Sequence, residues 1–368
     1  MIAASEKSPN LYYATKFLAP DPFVFLQIHG RKILLMSDLE LDRAKAQAEV
    51  DEVISISKYG REVQKKFGRE PGTIDLIEFF LRQKKIVDLC VPGDFPLEVA
   101  DHLRRRRFKI STKSDPFFQD RSYKDKDEIA KITQSLRHTE AAVDGAVKVL
   151  RESKIVKDRL IYDGCPLTSE FLKRVVNVKL MENNMVAQHT IISCGRDCVD
   201  PHNEGSGLLR PHTSIIMDVF PHSVDTRYYA DFTRTFVRGT ASPKLRKMYK
   251  AVGHGQEIAF EGIRDGAEAS AIHNAILAYF EGEGFKTGFL AGRMQGFFHG
   301  TGHGLGLEVH EPPRISKAKH ILKAGEVVTV EPGLYYLDEG GVRLEDLVVV
   351  EKKGMRNLTQ FPRFLELQ

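Results

Sequence analysis

Apolar and polar residues alternate along the first third of the chain in a pattern that predicts short strands and helices. Two apolar runs separated by His29-Gly30-Arg31 are typical of a hairpin. Apolar residues at helical spacing after Thr73 predict a helix that Thr73 caps. The expected bounds are strands at 23–28, 32–36 and 86–89 and helices at 44–52, 73–82 and 96–106. This alternation predicts a small α/β domain over residues 1–120.

The pattern changes after a segment, residues 113–127, that is rich in charge, Ser, Asp and Pro. We place the domain boundary there. A long amphipathic helix follows, with apolar residues three, four and seven apart. Beyond it we expect helices at 168–183, 243–259 and 269–281 and strands at 214–220, 227–237, 326–336 and 341–351. Helices followed by paired strands occur twice, so residues 125–368 are expected to form a second domain of the α/β (α+β) class with two halves.

Composition narrows the class of protein. A chain of 368 residues with 42% hydrophobic and 28% charged residues is ordinary for a globular protein and long enough for two domains. The net charge of +4 gives no sign of nucleic-acid or membrane binding, and the basic run Arg104–Arg107 is expected to be a solvated face. The polar first ten residues and the absence of an 18-residue apolar run predict a cytoplasmic location.

Cysteine content does not indicate a disulfide framework. The chain has four cysteines, too few for such a scaffold at this length. Cys194 and Cys198 are four residues apart, but no second Cys/His pair accompanies them at zinc-site spacing. We expect free thiols.

Five acidic and imidazole side chains lie on or beside the predicted strands of the second domain: Asp218, Asp231, His303, Glu331 and Glu345. The two Asp residues are thirteen residues apart and the two Glu residues fourteen, which fits the arms of two hairpins. Buried carboxylates repel one another unless they are protonated, paired or bound to a cation. A pair of divalent ions would neutralise all four. Carboxylate oxygens favour Mn, Mg or Ca, and an imidazole admits Mn, Fe, Co or Zn.

Residues around these five suggest a pocket and supporting hydrogen bonds. Glycines at 300, 302, 304 and 306 flank His303 and permit close backbone approach to an ion or ligand, although a flexible loop is the alternative. His299 and His310 share this run and are expected to line a substrate pocket, unless they are ordinary core or surface histidines. Thr233 and Thr329 each lie two residues from a predicted ligand. Their hydroxyls can therefore orient the ligands, unless they only favour strand formation.

The order of the motifs carries a specific resemblance. The motifs are Asp218, Asp-Phe-Thr-Arg-Thr from 231, His-Gly-Thr-Gly-His-Gly-Leu-Gly from 299, His-Glu-Pro-Pro from 310, Val-Glu-Pro-Gly from 330 and Gly-Val-Arg-Leu-Glu-Asp from 341. Together they resemble the pita-bread metallopeptidases, most closely Xaa-Pro aminopeptidases and Xaa-Pro dipeptidases (prolidases), and less closely methionine aminopeptidases. The resemblance implies a pita-bread fold with two pseudo-two-fold halves for 125–368, and the first domain is similar to that of the creatinase/prolidase branch.

This resemblance implies two divalent metal ions in each chain. Asp231 and Glu345 would bridge the ions, Asp218 would hold one of them, and His303 with Glu331 would hold the other. Glu331 would also be the general base. Manganese is the expected metal, with cobalt, zinc or iron as alternatives.

The resemblance also assigns residues to the substrate. His310 would contact it near the scissile carbonyl, and His299 would lie near the pocket for the residue after the cut. His202 would be the pocket histidine that precedes the first ligand, Asp218. Arg343 would support the ligands and the pocket. A proline-containing peptide is the implied substrate, hydrolysed before proline, and a homodimer is the implied assembly, with no nucleic-acid or membrane partner.

The sequence departs from the family pattern in the loop between the first two ligands and in the substrate region. Asp218 is followed by Val-Phe where the family has x-Gly, the loop 221–230 is about two residues longer, and 209–213 replaces a common Lys-Pro-Gly-Asp turn. The arginine with which prolidases hold a dipeptide carboxylate is not evident. Its incomplete candidates are Arg314, Lys317 and Lys319. The aminopeptidase reading is therefore favoured over the dipeptidase one.

Two other function classes share the fold. A metal-free hydrolase resembling creatinase and a non-catalytic binding module would both be expected to have lost metal ligands. All five ligand types are present in order, which favours the metallopeptidase.

Overall fold

A computed structural model describes the backbone of residues 1–368 and the side chains of all of them except residues 66 and 67. The chain forms two compact units, Met1–Arg121 and Ser122–Gln368. The break between them lies inside the charged segment 113–127.

The first unit contains a mixed four-stranded sheet, a separate parallel strand pair and five helices. The sheet has the order β1 (Ile2–Ala3), β2 (Phe23–Ile28), β3 (Arg31–Met36) and β4 (Glu52–Ser55), and the parallel pair is β5 (Asp88–Pro92) and β6 (Lys109–Lys113). The helices are α1 (Pro9–Thr15), α2 (Leu41–Gln47), α3 (Ser57–Phe67), α4 (Thr73–Gln83) and α5 (Leu97–Arg105). Strand and helix faces bury a core that includes Leu35, Ile77 and Phe80.

Most predicted elements of this unit are confirmed, but three details are wrong. The helix expected at 44–52 ends at Gln47, because the chain then extends to pair β4 in parallel with β3. The strand expected at 86–89 begins at Asp88 and continues to Pro92. Thr73 does not cap α4; Gly72 is the N-cap residue, and its N–H donates to the Asp75 carboxylate at 2.9 Å.

The second unit contains four long helices and several sheets that are antiparallel except where β14 pairs in parallel with β24. The helices are α6 (Lys126–Glu152), α7 (Ser169–Met181), α8 (Pro243–Gly262) and α9 (Ala269–Gly282). The strands are β7 (Lys154–Val156), β8 (Arg159–Tyr162), β9 (Cys165–Pro166), β10 (Met185–Val186), β11 (Ile191–Cys194), β12 (Ile215–Val219), β13 (His222–Ser223), β14 (Phe232–Arg238), β15 (Gly288–Leu290), β16 (Arg293–Gln295), β17 (Gly302–Gly304), β18 (Glu311–Ile315), β19 (Val327–Val330), β20 (Gly333–Tyr336), β21 (Gly340–Arg343), β22 (Asp346–Glu351), β23 (Gly354–Asn357) and β24 (Glu366–Leu367).

The elements of this unit form the two halves that the sequence predicts. The first half joins α6 and α7 to the sheet β11-β12-β14-β24, and the second joins α8 and α9 to the sheet β18-β17-β19-β22-β23. A bridge between Thr233 and Glu345 links the two sheets, with the Glu345 N–H donating to the Thr233 carbonyl at 3.0 Å. The two halves therefore meet where the predicted ligands lie.

Local sequence explains where two helices begin and why one predicted strand is divided. Asp125 and Glu128 form a capping box at the start of α6, and Ser242 caps α8 just before Pro243. The apolar stretch 326–336 is divided at Pro332 into β19 and β20, because proline cannot donate to a ladder.

The cysteines and the basic run of the first unit have the states expected from the sequence. The four cysteines are free thiols, and the run Arg104–Arg107 is exposed. None of the helices formed by the described residues combines the length and apolar character needed to cross a bilayer.

Candidate metal centre

The first half of the second unit contributes two carboxylates from neighbouring strands. Asp218 lies within β12 and pairs with Thr233 of β14, while Asp231 immediately precedes β14. Asp231 and Thr233 are two residues apart, so their side chains point to the same face as the Asp218 side chain. Apolar neighbours such as Met217 and Phe232 are fully buried, which fixes this register.

The second half contributes the imidazole and two more carboxylates. His303 lies in β17, Glu331 follows β19, and Glu345 precedes β22. The ladder between β19 and β22 pairs Val330 with Asp346, so the two Glu residues lie opposite each other just beyond its end.

The tertiary structure brings these five side chains into one buried cluster. His303 Nε2 lies 3.4 Å from a Glu331 carboxylate oxygen and 3.7 Å from one of Asp231. Asp231, His303 and Glu345 each offer one ligand atom, and these atoms lie within 4.8 Å of one another. The Asp218, Asp231 and Glu345 side chains are buried, and Glu331 is half-buried.

Burial and mutual repulsion oppose ionisation in this cluster. Burial, followed by the charges of neighbouring carboxylates, raises the pKa of Asp231 and of Glu345 well above the ordinary range. Burial also raises the pKa of Glu331 to about 7, and it lowers the pKa of His303 to about 3. The protein by itself therefore does not supply enough positive charge to balance the four carboxylates.

The cluster fits a divalent cation. Asp218 Oδ1 and Glu345 Oε1 are buried and have no hydrogen-bond partner among the described residues. Buried acceptors left in this way are costly unless something else binds them. Carboxylates with one imidazole form a donor set that suits Mn, Fe, Co or Zn.

Threonine hydroxyls form hydrogen bonds with three of the predicted ligands. Thr233 Oγ1 donates to a Glu345 carboxylate oxygen at 2.7 Å. Thr329 Oγ1 accepts from the His303 N–H at 3.1 Å and donates to Glu331 at 3.4 Å. Both residues thus make the contacts that the sequence suggested as an alternative to simple strand preference.

The two glycines directly beside His303 are required by strand packing. A Cβ on Gly302 would lie 1.9 Å from the Thr329 carbonyl oxygen, and one on Gly304 would lie 2.3 Å from that of Pro312. They therefore allow β17 to pack between its neighbouring strands.

A hydrogen-bonded chain connects one ligand to a predicted pocket residue. Arg343 donates to Asp218 Oδ2 at 2.7 Å and to the Tyr335 hydroxyl at 2.9 Å. The Tyr335 hydroxyl also lies 2.9 Å from His299 Nε2, and His299 Nδ1 lies 2.8 Å from the Gly300 carbonyl oxygen. His299 Nδ1 therefore carries the proton, and Tyr335 donates to Nε2.

Sequence reasoning missed Tyr335. The available signal was a tyrosine inside an apolar strand four residues after Glu331, since a buried tyrosine hydroxyl normally needs a polar partner.

A cavity of about 860 Å³ opens onto the cluster. His202, His299 and His310 all line it, as do Phe220, Phe298 and Arg314. The His310 ring lies 4.4 Å from that of His303 at 84°. Burial lowers the pKa of His299 to about 3 and also lowers the pKa of His310. A buried carboxylate–histidine cluster at the base of such a cavity is typical of a metal-dependent hydrolase.

Comparison with known proteins identifies the family. The profile of metallopeptidase family M24 matches residues 130–352, and the chain belongs to this family. It is 28% identical over 368 residues to an Xaa-Pro dipeptidase of Pyrococcus horikoshii, covering 98% of this chain and 92% of that protein.

Solved structures show the same fold along nearly the whole chain. An X-Pro aminopeptidase from Thermotoga maritima matches with a TM-score of 0.81 and 22% identity, covering 99% of this chain and 96% of that one. The prolidase from Pyrococcus horikoshii matches with a TM-score of 0.77 and 24% identity, covering 98% and 93%. The predicted pita-bread fold and the predicted metallopeptidase are thereby confirmed.

Proposed function

We propose that this chain is an exopeptidase that uses two divalent metal ions to hydrolyse the Xaa-Pro bond at the N-terminus of peptides. The observation that supports this most strongly is the convergence of four carboxylates and His303 at the base of a cavity lined by three further histidines. Two of its relatives have the names Xaa-Pro dipeptidase and X-Pro aminopeptidase.

The charges in the cluster favour two dications over one. The four carboxylates would carry four negative charges when ionised, and among the described residues Arg343 donates a hydrogen bond to one of them, Asp218. Asp231 and Glu345 would be shared between the ions, Asp218 would complete one site, and His303 and Glu331 the other. Manganese suits this mainly carboxylate donor set. When bound, such ions lower the pKa of water and polarise a carbonyl oxygen.

Glu331 and His310 would handle protons and developing charge. The Glu331 carboxylate is only half-buried and lines the cavity, so it can accept a proton from the attacking water and deliver it to the leaving proline nitrogen. His310 also lines the cavity, beside His303, and can donate a hydrogen bond to the carbonyl oxygen as negative charge develops there.

Proline recognition would depend on ring contacts. A bond before proline has no N–H to grip. Both nitrogens of His299 are already hydrogen-bonded, so its ring offers an apolar surface rather than a donor. Phe298 and His299 rings lie 6.4 Å apart at 84° beside Tyr335. We assign these rings to the wall that contacts the pyrrolidine.

Acidic residues at the cavity would bind the free amine of the substrate. Asp200 and Glu204 line the cavity and are exposed, and Glu204 also contacts His189 at 2.8 Å. A carboxylate in this position favours a protonated N-terminus over an internal peptide segment. This supports cleavage at the end of a peptide.

A dipeptidase is the second candidate, and one observation favours it. Of the three cations considered for a substrate carboxylate, Arg314 lines the cavity, while Lys317 and Lys319 are not among its described lining residues. A guanidinium can bind a carboxylate through two hydrogen bonds. Arg314→Met should raise KM for Xaa-Pro dipeptides by about 10-fold or more if this pair forms, and leave Xaa-Pro-Xaa tripeptides within about 2-fold.

The proposed function is tested by a substrate panel. Purified protein loaded with manganese is given Xaa-Pro dipeptides, Xaa-Pro-Xaa tripeptides and Met-Xaa peptides, and metal content is measured in parallel. We expect about two ions per chain and release of the residue before proline. Cleavage of the Met series alone would overturn the substrate assignment, and full activity after complete chelation would overturn the metal assignment. The homodimer and the cytoplasmic location stay predictions.

A further inference from the structure

A buried ion pair lies beside the turn that precedes His310. Lys124 Nζ donates to Glu311 Oε2 at 3.0 Å, and the two side chains are 2% and 4% exposed. Lys124 precedes α6 and lies outside residues 130–352, whereas Glu311 directly follows His310. Burying two charges is costly, and the pair stays favourable only with good geometry and further hydrogen bonds.

The second oxygen of the Glu311 carboxylate organises the turn before it. Glu311 Oε1 accepts from the Leu307 N–H at 2.9 Å and from the Glu308 N–H at 3.1 Å. This turn connects His303 in β17 to His310, which directly precedes β18. The carboxylate thus fixes the backbone that leads from the metal ligand to the cavity histidine.

The residues on either side of the buried carboxylate relate it to the cavity. Glu311, Pro313 and Ile315 of β18 are buried, whereas Arg314 of the same strand is exposed and lines the cavity. His310 directly precedes β18, is exposed and lines the cavity, and its ring lies 4.4 Å from that of His303. Anchoring Glu311 therefore fixes the chain at the residue next to His310.

The lysine is held as firmly as its partner. The Lys124 N–H donates to the Gly325 carbonyl at 2.8 Å, and the next residue, Asp125, is the N-cap of α6. Gly306 leaves the space for the pair, because a Cβ there would lie 2.8 Å from Glu311 Oε2 and 2.9 Å from Lys124 Cε. The start of α6, the turn before His310 and the lack of a side chain at Gly306 together favour one geometry of the ion pair.

We propose that Lys124 and Glu311 are positioning residues for His310, the pair holding the turn 305–310 so that the His310 ring faces the scissile carbonyl. The inference rests on the proposed function for the identity of the reaction, but the placement of the turn does not. Loss of the lysine removes the ammonium that bonds to Glu311 Oε2, which weakens the hold on the carboxylate and on the two N–H groups from which its Oε1 accepts.

Hydrogen exchange of the metal-free protein tests the placement without any activity. In Lys124→Met, amide exchange of the segment 305–309 should become about 10-fold faster or more, since two of its N–H groups lose their acceptor. Lys124→Arg restores the charge and should restore most of the protection. Unchanged exchange in Lys124→Met would overturn the proposal.

A double-mutant cycle tests the link to His310. We expect Lys124→Met to lower kcat about 10-fold while KM and metal content change by less than about 2-fold. In the His310→Ala background the same substitution should have no further effect on kcat, because the group it positions is gone. An equal loss of kcat in both backgrounds would assign the pair to general structure, and no loss in either would also overturn the proposal.

The chain provides a matched control pair that does not line the cavity. Arg137 forms an ion pair with Glu140, whose carboxylate accepts from the Gln360 and Phe361 N–H groups, and none of these residues lines the cavity. Arg137→Met should loosen that segment and leave kcat unchanged. The cycle uses whichever panel peptide the wild-type protein cleaves fastest. Failure to cleave Xaa-Pro peptides would thus contradict the proposed function alone, and exchange would still decide the placement.

Discussion

At the residue scale, the candidate site is a set of charges that the protein alone does not balance. Arg343 contacts only Asp218 among the four carboxylates, and two carboxylate oxygens remain without partners among the described residues. Raised pKa values for Asp231, Glu331 and Glu345 are the expected response to burial and repulsion. The same features that destabilise the metal-free cluster favour cation binding.

Removing a bridging carboxylate should therefore separate metal binding from folding. Asp231→Asn or Glu345→Gln is expected to reduce manganese content below two ions per chain, while the melting temperature of the metal-free protein stays equal or rises because a repelling buried acid is gone. Elemental analysis and calorimetry measure the two effects. Asp225 is an exposed acid of the loop 221–230. The control substitution Asp225→Asn should therefore change neither the manganese content nor the melting temperature. Two ions retained in both site variants would exclude these residues as shared ligands.

His310 should act on turnover rather than on folding. His310→Ala is expected to lower kcat by about 10²-fold, since a hydrogen bond to the developing oxyanion is lost. KM and metal content should change little. His254→Ala, at an exposed histidine of α8, is the matched control. An unchanged kcat in the His310 variant would leave the residue a structural role only.

At the element scale, the site depends on short strands packed without space between them. β17 carries His303 between β18 and β19, and glycine on either side of the histidine permits that spacing. Thr329 in β19 then reaches the His303 N–H. The direction in which His303 points is therefore set by the packing of the backbone as well as by its own side chain.

This packing predicts a large effect from one methyl group. Gly302→Ala should destabilise the protein by about 3 kcal/mol or more, because the new Cβ would overlap the Thr329 carbonyl and separate β17 from β19. Urea unfolding measures the change. At Gly282, the last residue of α9, a Cβ meets nothing within 4 Å, so Gly282→Ala should be neutral or stabilising. Equal effects of the two substitutions would contradict the packing argument.

At the scale of the whole second unit, each half supplies part of the cluster. Asp218 and Asp231 come from the first half, and His303, Glu331 and Glu345 from the second. The Thr233–Glu345 bridge is where the two sheets join. Metal binding should therefore stabilise the unit as a whole, since a bound ion would connect both halves.

Buried neutral histidines predict how stability depends on pH. Burial lowers the pKa of His273 from 6.5 to about 4, and its Nδ1 lies 3.0 Å from the Thr301 hydroxyl. The unfolded chain then binds more protons than the folded one between these values, so stability falls as pH falls from 6.5 towards 4. His273→Gln should reduce the loss between pH 7 and pH 5 by about 1–2 kcal/mol, measured by urea unfolding of the metal-free protein. Identical pH dependence in both proteins would contradict this.

Much of the site's composition could be read from the sequence, but its connections could not. The spacing of acids and histidines indicated the residue types of a metal site, because each lies on or beside an apolar strand. Tyr335 and the Lys124–Glu311 pair were missed, since their partners are distant in sequence: Lys124 and Glu311 are 187 residues apart. The helix expected at 44–52 is wrong for a related reason, because Glu52 pairs with Ile33 of β3 and this pairing overrode local preference.

The sequence by itself determined the α/β class, the two halves and the set of groups able to bind metal, because these follow from periodicity and side-chain chemistry. Only the tertiary structure decided which oxygens remain unpaired, which ring nitrogen of His299 carries a proton, and why His303 needs glycine neighbours. Those properties depend on distances between strands that are far apart in the chain, and no local pattern encodes such distances.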